Sequence, residues 1–204
     1  MIAIIDYGSG NVGAIANIFK QLKVPHVVTG QLSELEHAER YILPGVGAFD
    51  TTMSYLRNSG MVELLNQQVL ERGKKVLGIC VGMQILAESS DEGELSGLGW
   101  IRGRVRKIDA SMLPSAPRLP HMGWNTVRTN PGARLFDGVD TVQGFYFLHS
   151  YYFDPCEQDD IAATVDYGNN ITCAVARQNV FGMQFHPEKS HANGVAIFRN
   201  FAEL

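Results

Sequence analysis

The sequence has little of what marks secreted, membrane-spanning or metal-organised proteins. Its 204 residues contain three cysteines, Cys80, Cys156 and Cys173, an odd number with no Cys-x-x-Cys spacing. This pattern argues against a disulfide framework and against a zinc site, and it predicts a reducing, cytoplasmic location. The apolar stretch 1–5 is interrupted by Asp6 and has no basic flank, so it predicts neither a signal peptide nor a membrane span.

An excess of basic charge is also missing. Lys and Arg number 17 against 21 Asp and Glu, which gives a net charge of −4. The basic residues are scattered apart from Arg102–Lys107, which alternates like a strand with one face in water. This balance excludes nucleic acid as the main partner. A hydrophobic share of 45% over this length predicts one core, and we expect one domain over residues 1–204.

The first half of the chain alternates strand-like and helix-like segments, which indicates parallel βαβ units. The predicted strands cover residues 2–5, 24–29, 40–43 and 76–79, and the predicted helices cover residues 12–22 and 61–72. The second half is richer in strands, with candidates at 100–108, 124–128, 145–148, 161–165, 172–176 and 181–184 before a closing helix at 192–201. The stretches 111–120 and 129–133 are predicted to be surface connections.

Cys80 lies in Gly-Ile-Cys-Val-Gly, where a short apolar run gives way to a helix-like segment at 83–88. A nucleophile on a tight strand-to-helix turn needs small neighbours, here Gly78 and Gly82, and it lies near the positive end of a helix dipole. The thiol would thereby be exposed and biased toward thiolate. The alternative is a buried core cysteine, but glycines on both sides would be of little use in a core strand.

His186 is the best candidate for the base among six histidines, because it directly follows the apolar run 181–185. Pro187 favours an extended backbone at His186. In extended chain, residues i and i+2 point the same way, so Glu188 would lie beside the imidazole and orient it. Cys80, His186 and Glu188 then form a predicted triad, with a surface His-Pro-Glu turn as the alternative.

An acyl-transfer site also needs donors for an oxyanion. The loop Leu43–Phe49 follows a strand and contains Gly45 and Gly47. These glycines would let the Val46 amide be presented next to the acyl carbon, opposite the Val81 amide after the nucleophile. A generic Gly-rich turn is the alternative for this loop.

Together these motifs resemble the class I, triad-type glutamine amidotransferases. The shared motifs are the elbow Gly78–Gln84 and the segment Gln184–Ser190, and the loop Pro44–Gly47 follows the same pattern. The form of that loop and the blocks Pro120–Asn125 and Tyr146–Tyr151 are similar to those of the glutaminase subunits of imidazole glycerol phosphate synthases. The resemblance runs over essentially the whole chain. One departure is Val81, where the family more often has leucine, but only its backbone is needed.

The resemblance implies a flavodoxin-like, three-layer α/β fold with a largely parallel central sheet and extra strands in the second half. It implies hydrolysis of glutamine to glutamate and ammonia through a thioester on Cys80, without a metal or cofactor. It also implies two further groups of residues. The glutamine-binding residues would be Gly47, Gln84, Glu92, His149, Ser150 and Tyr151. The residues facing a partner would be Asn11, Trp124, Tyr146 and Lys189.

The acceptor chemistry must lie on another polypeptide, because the sequence shows neither a P-loop nor a metal cluster. The resemblance implies a cyclase or synthase subunit, a phosphate-binding (β/α)₈ barrel, joined to this chain in a heterodimer that serves histidine biosynthesis. The ammonia could instead serve a different synthase, such as one modifying a surface sugar. The loop Pro44–Gly47 is the natural switch that would keep an unpartnered subunit inactive.

Two rival functions are open on the residues alone. Gly8–Gly13 formally matches the G-x-G-x-x-G fingerprint of dinucleotide-binding proteins. The end of the second predicted strand, however, lacks the acidic residue that such a site uses for the ribose. The other rival is an interaction subunit without catalysis, against which the three triad residues argue.

Overall fold

The structure of the chain is a computed structural model that describes residues 1–113 and 119–204. Eight strands form the central sheet in the order β2-β1-β3-β4-β13-β12-β11-β8. The strands on the parallel side are β1 (Ile2–Ile5), β2 (His26–Thr29), β3 (Arg40–Gly45), β4 (Lys75–Cys80) and β13 (Val180–Met183). The remaining strands are antiparallel: β12 (Asn169–Arg177), β11 (Ile161–Tyr167) and β8 (Val127–Thr129).

Six α-helices accompany the described strands. They are α1 (Val12–Gln21), α2 (Leu32–His37), α3 (Phe49–Asn58), α4 (Met61–Asn66), α5 (Val81–Gln84) and α6 (His191–Glu203). The apolar faces of these helices and the strands share one buried cluster that includes Ile4, Phe19, Leu77 and Phe198. The flavodoxin-like α/β class predicted from the sequence is confirmed.

Two smaller sheets lie beside the central one. β10 (Tyr151–Pro155), β6 (Gly103–Lys107) and β5 (Ser89–Ser90) form one of them. β7 (His121–Asn125) and β9 (Phe145–His149) form an antiparallel pair, here called the ribbon. The basic run in β6 is the half-wet strand predicted, because Val105 is buried while Arg104 and Arg106 pair with Asp91 and Asp154.

Several elements differ from the sequence-based prediction. The predicted helix 61–72 is α-helical only to Asn66 and continues as a π-helical turn over Gln67–Glu71. Asn179 donates hydrogen bonds to the Val69 and Lys74 carbonyls, at 2.8 Å each. The Asn179 side chain thus bonds one carbonyl within the π-helical turn and one just beyond it. The helices α2 and α3 and the strands β5 and β10 were not predicted.

The predicted strand 124–128 is in fact parts of two strands. The Thr126 N–H bonds to the Asn125 side chain at 2.9 Å, and the chain there leaves the ribbon for the central sheet. The predicted strand 100–108 begins only at Gly103. Of the predicted connection 111–120, residues 114–118 lie outside the described residues, and 129–133 is a connection apart from Thr129, which ends β8.

Within residues 1–113 and 119–204, none of the helices combines the length and apolar character needed to cross a membrane. In the same part of the chain, no three His, Cys, Asp or Glu side chains are grouped as ligands for a metal ion.

Candidate active site

Cys80 ends β4 and takes a left-handed backbone, with φ 57° and ψ −116°. A non-glycine residue in this region is strained, and such strain is typical of functional sites. Neighbouring glycines make room for the turn. A Cβ on Gly78 would lie 2.5 Å from the Gly82 carbonyl oxygen, one on Gly45 would lie 2.5 Å from the Gly82 nitrogen, and one on Gly82 would overlap the Leu43 carbonyl oxygen.

The helix after Cys80 is shorter than predicted. α5 ends at Gln84, and Ile85, Leu86 and Ala87 turn into the core, where they are fully buried. The predicted bias of the thiol by this helix N-terminus stays a prediction. The predicted exposure of the thiol is wrong, because Cys80 is only 5% exposed and lies at the floor of a cleft. Side chains around the sulfur supply its polar contacts.

His186 lies just beyond β13, next to β4 in the sheet, which brings its ring to the sulfur. Its Nδ1 is 2.8 Å from Glu188 Oε1, and its ring forms a side-chain hydrogen bond with Cys80. Burial alone lowers the pKa of His186, but the hydrogen bonds to Cys80 and Glu188 outweigh burial and raise this pKa to about 10. The structure thus brings together the three predicted triad residues, with an imidazole that readily holds a proton.

The backbone of Tyr146 holds the triad segment in place. The His186 N–H donates to the Tyr146 carbonyl at 2.9 Å. Ser190 Oγ accepts from the Tyr146 N–H at 3.0 Å and donates to the His186 carbonyl at 2.7 Å. The start of β9 is therefore tied directly to the proposed base.

Two buried carboxamides complete the surroundings of Cys80. Gln184 Nε2 donates to Cys80 Sγ at 3.7 Å, and Gln184 Oε1 accepts from Gln84 Nε2 at 2.9 Å. Gln84 Nε2 also donates to the Tyr151 carbonyl at 3.2 Å. Sequence reasoning had placed Gln84 in the site and had missed Gln184. The missed signal was its spacing, since Gln184, His186 and Glu188 alternate along extended chain.

The loop after β3 has its Val46 amide engaged with a side chain. The Val46 N–H donates to Ser9 Oγ at 3.0 Å, and the same hydroxyl donates to the Val46 carbonyl at 3.1 Å. The Tyr7 hydroxyl donates to the Pro44 carbonyl, and burial raises the pKa of Tyr7, which keeps it a donor. The predicted oxyanion donor Val46 is thus satisfied by Ser9. Val81 is the first residue of α5, so its N–H has no intrahelical partner.

One glycine of the formal dinucleotide fingerprint, Gly10, packs against this loop. A Cβ on Gly10 would meet the Pro44 ring at 2.5 Å. Gly10 therefore allows the segment after β1 to approach the loop after β3. Sequence reasoning had no signal for Tyr7 and Ser9 as supports of this loop, because the contact joins segments 37 residues apart.

A cleft of about 340 Å³ opens beside Cys80. It contains every predicted catalytic, oxyanion and glutamine-binding residue except Glu188, which lies behind His186: Val46, Gly47, Cys80, Val81, Gln84, Glu92, His149, Ser150, Tyr151 and His186. Glu92 Oε2 accepts from the Phe49 N–H at 2.9 Å and so caps α3. The side chain of His149, by contrast, is buried within the ribbon.

The predicted partner-facing residues form a surface group with one outlier. Trp124 is 48% exposed and lies edge-on to Tyr146, with 6.5 Å between ring centroids. Lys189 Nζ lies 5.6 Å from the Tyr146 centroid, and His191 stacks on Trp124 at 5.1 Å. Asn11 is exposed at the start of α1, and no hydrogen bond or ring contact joins it to this group in the described part of the chain.

The family model of the class-I glutamine amidotransferases matches residues 3–204. The chain therefore belongs to this enzyme family. A solved structure described as a glutamine amidotransferase has the same fold, with a TM-score of 0.74 and 18% identity over 100% of this chain and 98% of that one.

Relatives of higher sequence identity show to which group of glutamine amidotransferases the chain belongs. The imidazole glycerol phosphate synthase subunits HisH of Bdellovibrio bacteriovorus and Leptospira interrogans are 50% and 48% identical to this chain, and both matches cover 100% of each protein. Within the glutamine amidotransferases, the chain thus belongs to the HisH subunits.

Proposed function

We propose that Cys80, His186 and Glu188 hydrolyse glutamine, and that the chain supplies the ammonia to a synthase partner that makes imidazole glycerol phosphate and AICAR in histidine biosynthesis. The observation that carries the proposal is the contact of one imidazole with both the Cys80 sulfur and the Glu188 carboxylate at the floor of a cleft. Identities of 48% and 50% to HisH subunits over the full length of the chain support imidazole glycerol phosphate synthase as the enzyme that receives the ammonia. A sugar-modifying synthase would use the same glutaminase chemistry but has no such support.

The reaction begins with the thiolate of Cys80, whose proton rests on His186. The sulfur attacks the side-chain carbonyl carbon of glutamine, and the developing oxyanion requires N–H donors beside it. His186 then gives its proton to the leaving nitrogen, ammonia departs, and a glutamyl thioester remains on Cys80. The raised pKa of His186 suits it to hold that proton at neutral pH.

Water completes the cycle. His186, now neutral, accepts a proton from a water molecule that attacks the thioester carbon, and glutamate leaves as the thiolate re-forms. Glu188 stays ionised and orients the imidazole through Nδ1. Every atom of the products comes from glutamine and water, and each proton transfer is assigned to His186.

The glutamine pocket uses both sides of the cleft. Gln84 has its Nε2 committed to Tyr151 and Gln184, so its Oε1 is the atom available to a substrate ammonium group. Glu92 has one oxygen committed to the cap of α3, which leaves the other for the same group. Gly47, Ser150 and Tyr151 line the cleft, and their backbone N–H groups would bind the substrate carboxylate.

Control of the reaction resides in the loop 44–47. With its N–H on Ser9, Val46 gives no help to an oxyanion, so a lone subunit hydrolyses glutamine slowly. Turning the Gly45–Val46 peptide over would free this N–H for the oxyanion opposite Val81. A partner seated on Trp124, Tyr146 and Lys189 lies close to the triad segment, because Tyr146 holds His186 through its backbone.

The partner is a cyclase subunit, a (β/α)₈ barrel, in a cytoplasmic heterodimer with this chain. The chain contributes one glutaminase domain over residues 1–204. The exposed Trp124, the half-buried Tyr146 and the adjacent Lys189 fit an interface with an acidic rim. Asn11 is the fourth residue proposed for this interface.

The decisive experiment replaces Cys80 with Ala in the complex. Synthesis from glutamine should disappear, whereas synthesis from added ammonium should continue, because only the thioester step needs the thiol. The matched control is Cys156→Ser, which changes an exposed cysteine and should leave both activities intact. Glutamine-dependent synthesis by the Cys80→Ala complex would reject the proposal.

A further inference from the structure

We propose that His121 and His149 are positioning residues that fix the wall of the glutamine pocket, by holding the Tyr151 carbonyl against the Gln84 carboxamide through a buried chain of hydrogen bonds. This inference rests on the proposed glutaminase function. Neither histidine touches the triad through a hydrogen bond in the described part of the chain, and both are buried on the inner face of the ribbon.

The chain of hydrogen bonds is continuous from the ribbon to the cleft. Asn125 Nδ2 lies 3.4 Å from His121 Nε2 and also donates to the Asp166 carbonyl at 3.0 Å. His121 Nδ1 lies 3.0 Å from His149 Nε2, and His149 Nδ1 lies 2.8 Å from the Tyr151 carbonyl oxygen. That same oxygen accepts from Gln84 Nε2.

Only one arrangement of protons satisfies this chain with neutral rings. The Tyr151 carbonyl can only accept, so His149 must carry its proton on Nδ1 and present a bare Nε2. His121 must then carry its own proton on Nδ1 and accept from Asn125 at Nε2. Burial lowers the pKa of His121 to about 4 and that of His149 to about 3, which keeps both rings neutral.

Packing also fixes the ring of His121. His121 lies between Phe147 and Tyr167, with centroid distances of 4.6 Å and 3.9 Å and interplanar angles of 17° and 20°. A ring held on both faces keeps its nitrogens aimed along the chain. The histidine pair therefore holds the His149 Nδ1–H in position to donate to the Tyr151 carbonyl.

The consequence falls on substrate binding more than on the chemical step. The Tyr151 carbonyl and the Gln84 amide belong to the pocket wall, whereas His186 is held separately by Glu188 and Tyr146. Gln184 also has its own backbone anchor, since its N–H donates to the Cys173 carbonyl at 2.8 Å. Loss of the histidine pair should loosen the pocket and leave the triad in place.

The test uses the complex with the cyclase partner and its acceptor. His149→Phe keeps the ring volume and removes both hydrogen bonds, and it should raise the KM for glutamine about tenfold while kcat changes less than about threefold. His149→Asn retains a donor for the Tyr151 carbonyl and should recover most of that loss. His26→Phe is the matched control, because His26 Nδ1 also bonds a backbone carbonyl, on the far edge of the sheet.

A second measurement covers the case in which His149→Phe fails to fold. Ring nitrogen NMR shifts of the wild-type chain should show both His121 and His149 as neutral Nδ1–H tautomers from pH 7 to about pH 5.5. An Nε2–H tautomer or a charged ring in that range would overturn the inference. So would an unchanged KM in a folded His149→Phe variant. A wild-type complex that does not hydrolyse glutamine would reject the proposed function instead.

Discussion

The two walls around Cys80 hold their polar groups in different ways. Gln84, Gln184 and His186 form the side-chain wall, in which each buried polar group has at least two hydrogen-bond partners. The loop wall is the segment Pro44–Gly47, which is held by the hydroxyls of Tyr7 and Ser9. Buried networks of side chains resist rearrangement, whereas the Val46 amide and carbonyl both depend on the one hydroxyl of Ser9 and are more easily released. We infer that the side-chain wall is preset for catalysis and the loop wall is adjustable.

The largest effect is expected in the side-chain wall. His186→Ala removes the group that moves every proton in the reaction, and it should lower glutamine turnover about a thousandfold or more. Glu188→Gln should lower it less, because the carboxylate orients the imidazole without exchanging the proton itself. Steady-state glutaminase assays of the two complexes measure both. Full activity in His186→Ala would show that another group is the base.

The loop wall predicts a strong dependence on the partner. The lone chain, with the Val46 N–H on Ser9, should turn over glutamine slowly, and the acceptor-loaded complex should be faster by about a hundredfold, the usual worth of one oxyanion donor. Glutamate release measured with and without partner and acceptor tests this expectation. Equal rates would make the chain a stand-alone cysteine hydrolase.

A smaller effect of opposite sign is expected from Ser9→Ala. This change leaves the Val46 N–H without its resting partner and should raise the turnover of the lone chain about tenfold. Ser59→Ala is the control, since Ser59 Oγ donates to the Leu56 carbonyl at the end of α3, outside the cleft. Gly45 is a poor target for this purpose, because a side chain there would press on Gly82.

The last prediction concerns acid stability, not turnover. His121 and His149 have folded-state pKa values well below the ordinary 6.5, so the unfolded chain binds more protons between pH 6.5 and about 4. The free energy of unfolding should therefore decrease as the pH is lowered through that window. Each ring contributes up to about 1.4 kcal/mol to this decrease per pH unit. The raised pKa of His186 acts at higher pH, where its stabilisation is lost toward pH 10. Urea titrations at a series of pH values measure this dependence. The free energy of unfolding of the His121→Phe/His149→Phe chain should vary less with pH than that of the wild type.

Sequence motifs predicted the side-chain wall better than the loop wall. The elbow around Cys80 and the alternation of His186 and Glu188 are local patterns, and the order of the strands places their ends together. The contact of Ser9 with Val46 depends on how two loops from different βα units meet, which local spacing does not encode. His149 was expected in the pocket, but its contact with His121 was missed for the same reason, because the two residues meet only through the register of the ribbon.

The fold itself was predicted where apolar periodicity was strong. The strands β1, β3, β4 and β13 are short buried runs and were found, which is why the parallel core was correct. Helix α3 was missed because it follows directly on the loop 44–47, and its first N–H is capped by the distant Glu92 instead of by a neighbouring side chain. The split of residues 124–128 between two sheets has no local signal either.

The interlocked glycines at 45, 78 and 82 restrict how the sequence can diverge. A Cβ at any of these positions would collide with main-chain atoms of the elbow or of the adjoining loop, and no neighbouring glycine can be made smaller to compensate. A single substitution at any of these three glycines should therefore destabilise the elbow. Substitutions that adapt this fold to new acceptors are therefore expected elsewhere, on the ribbon and the surface loops, while these three glycines stay unchanged.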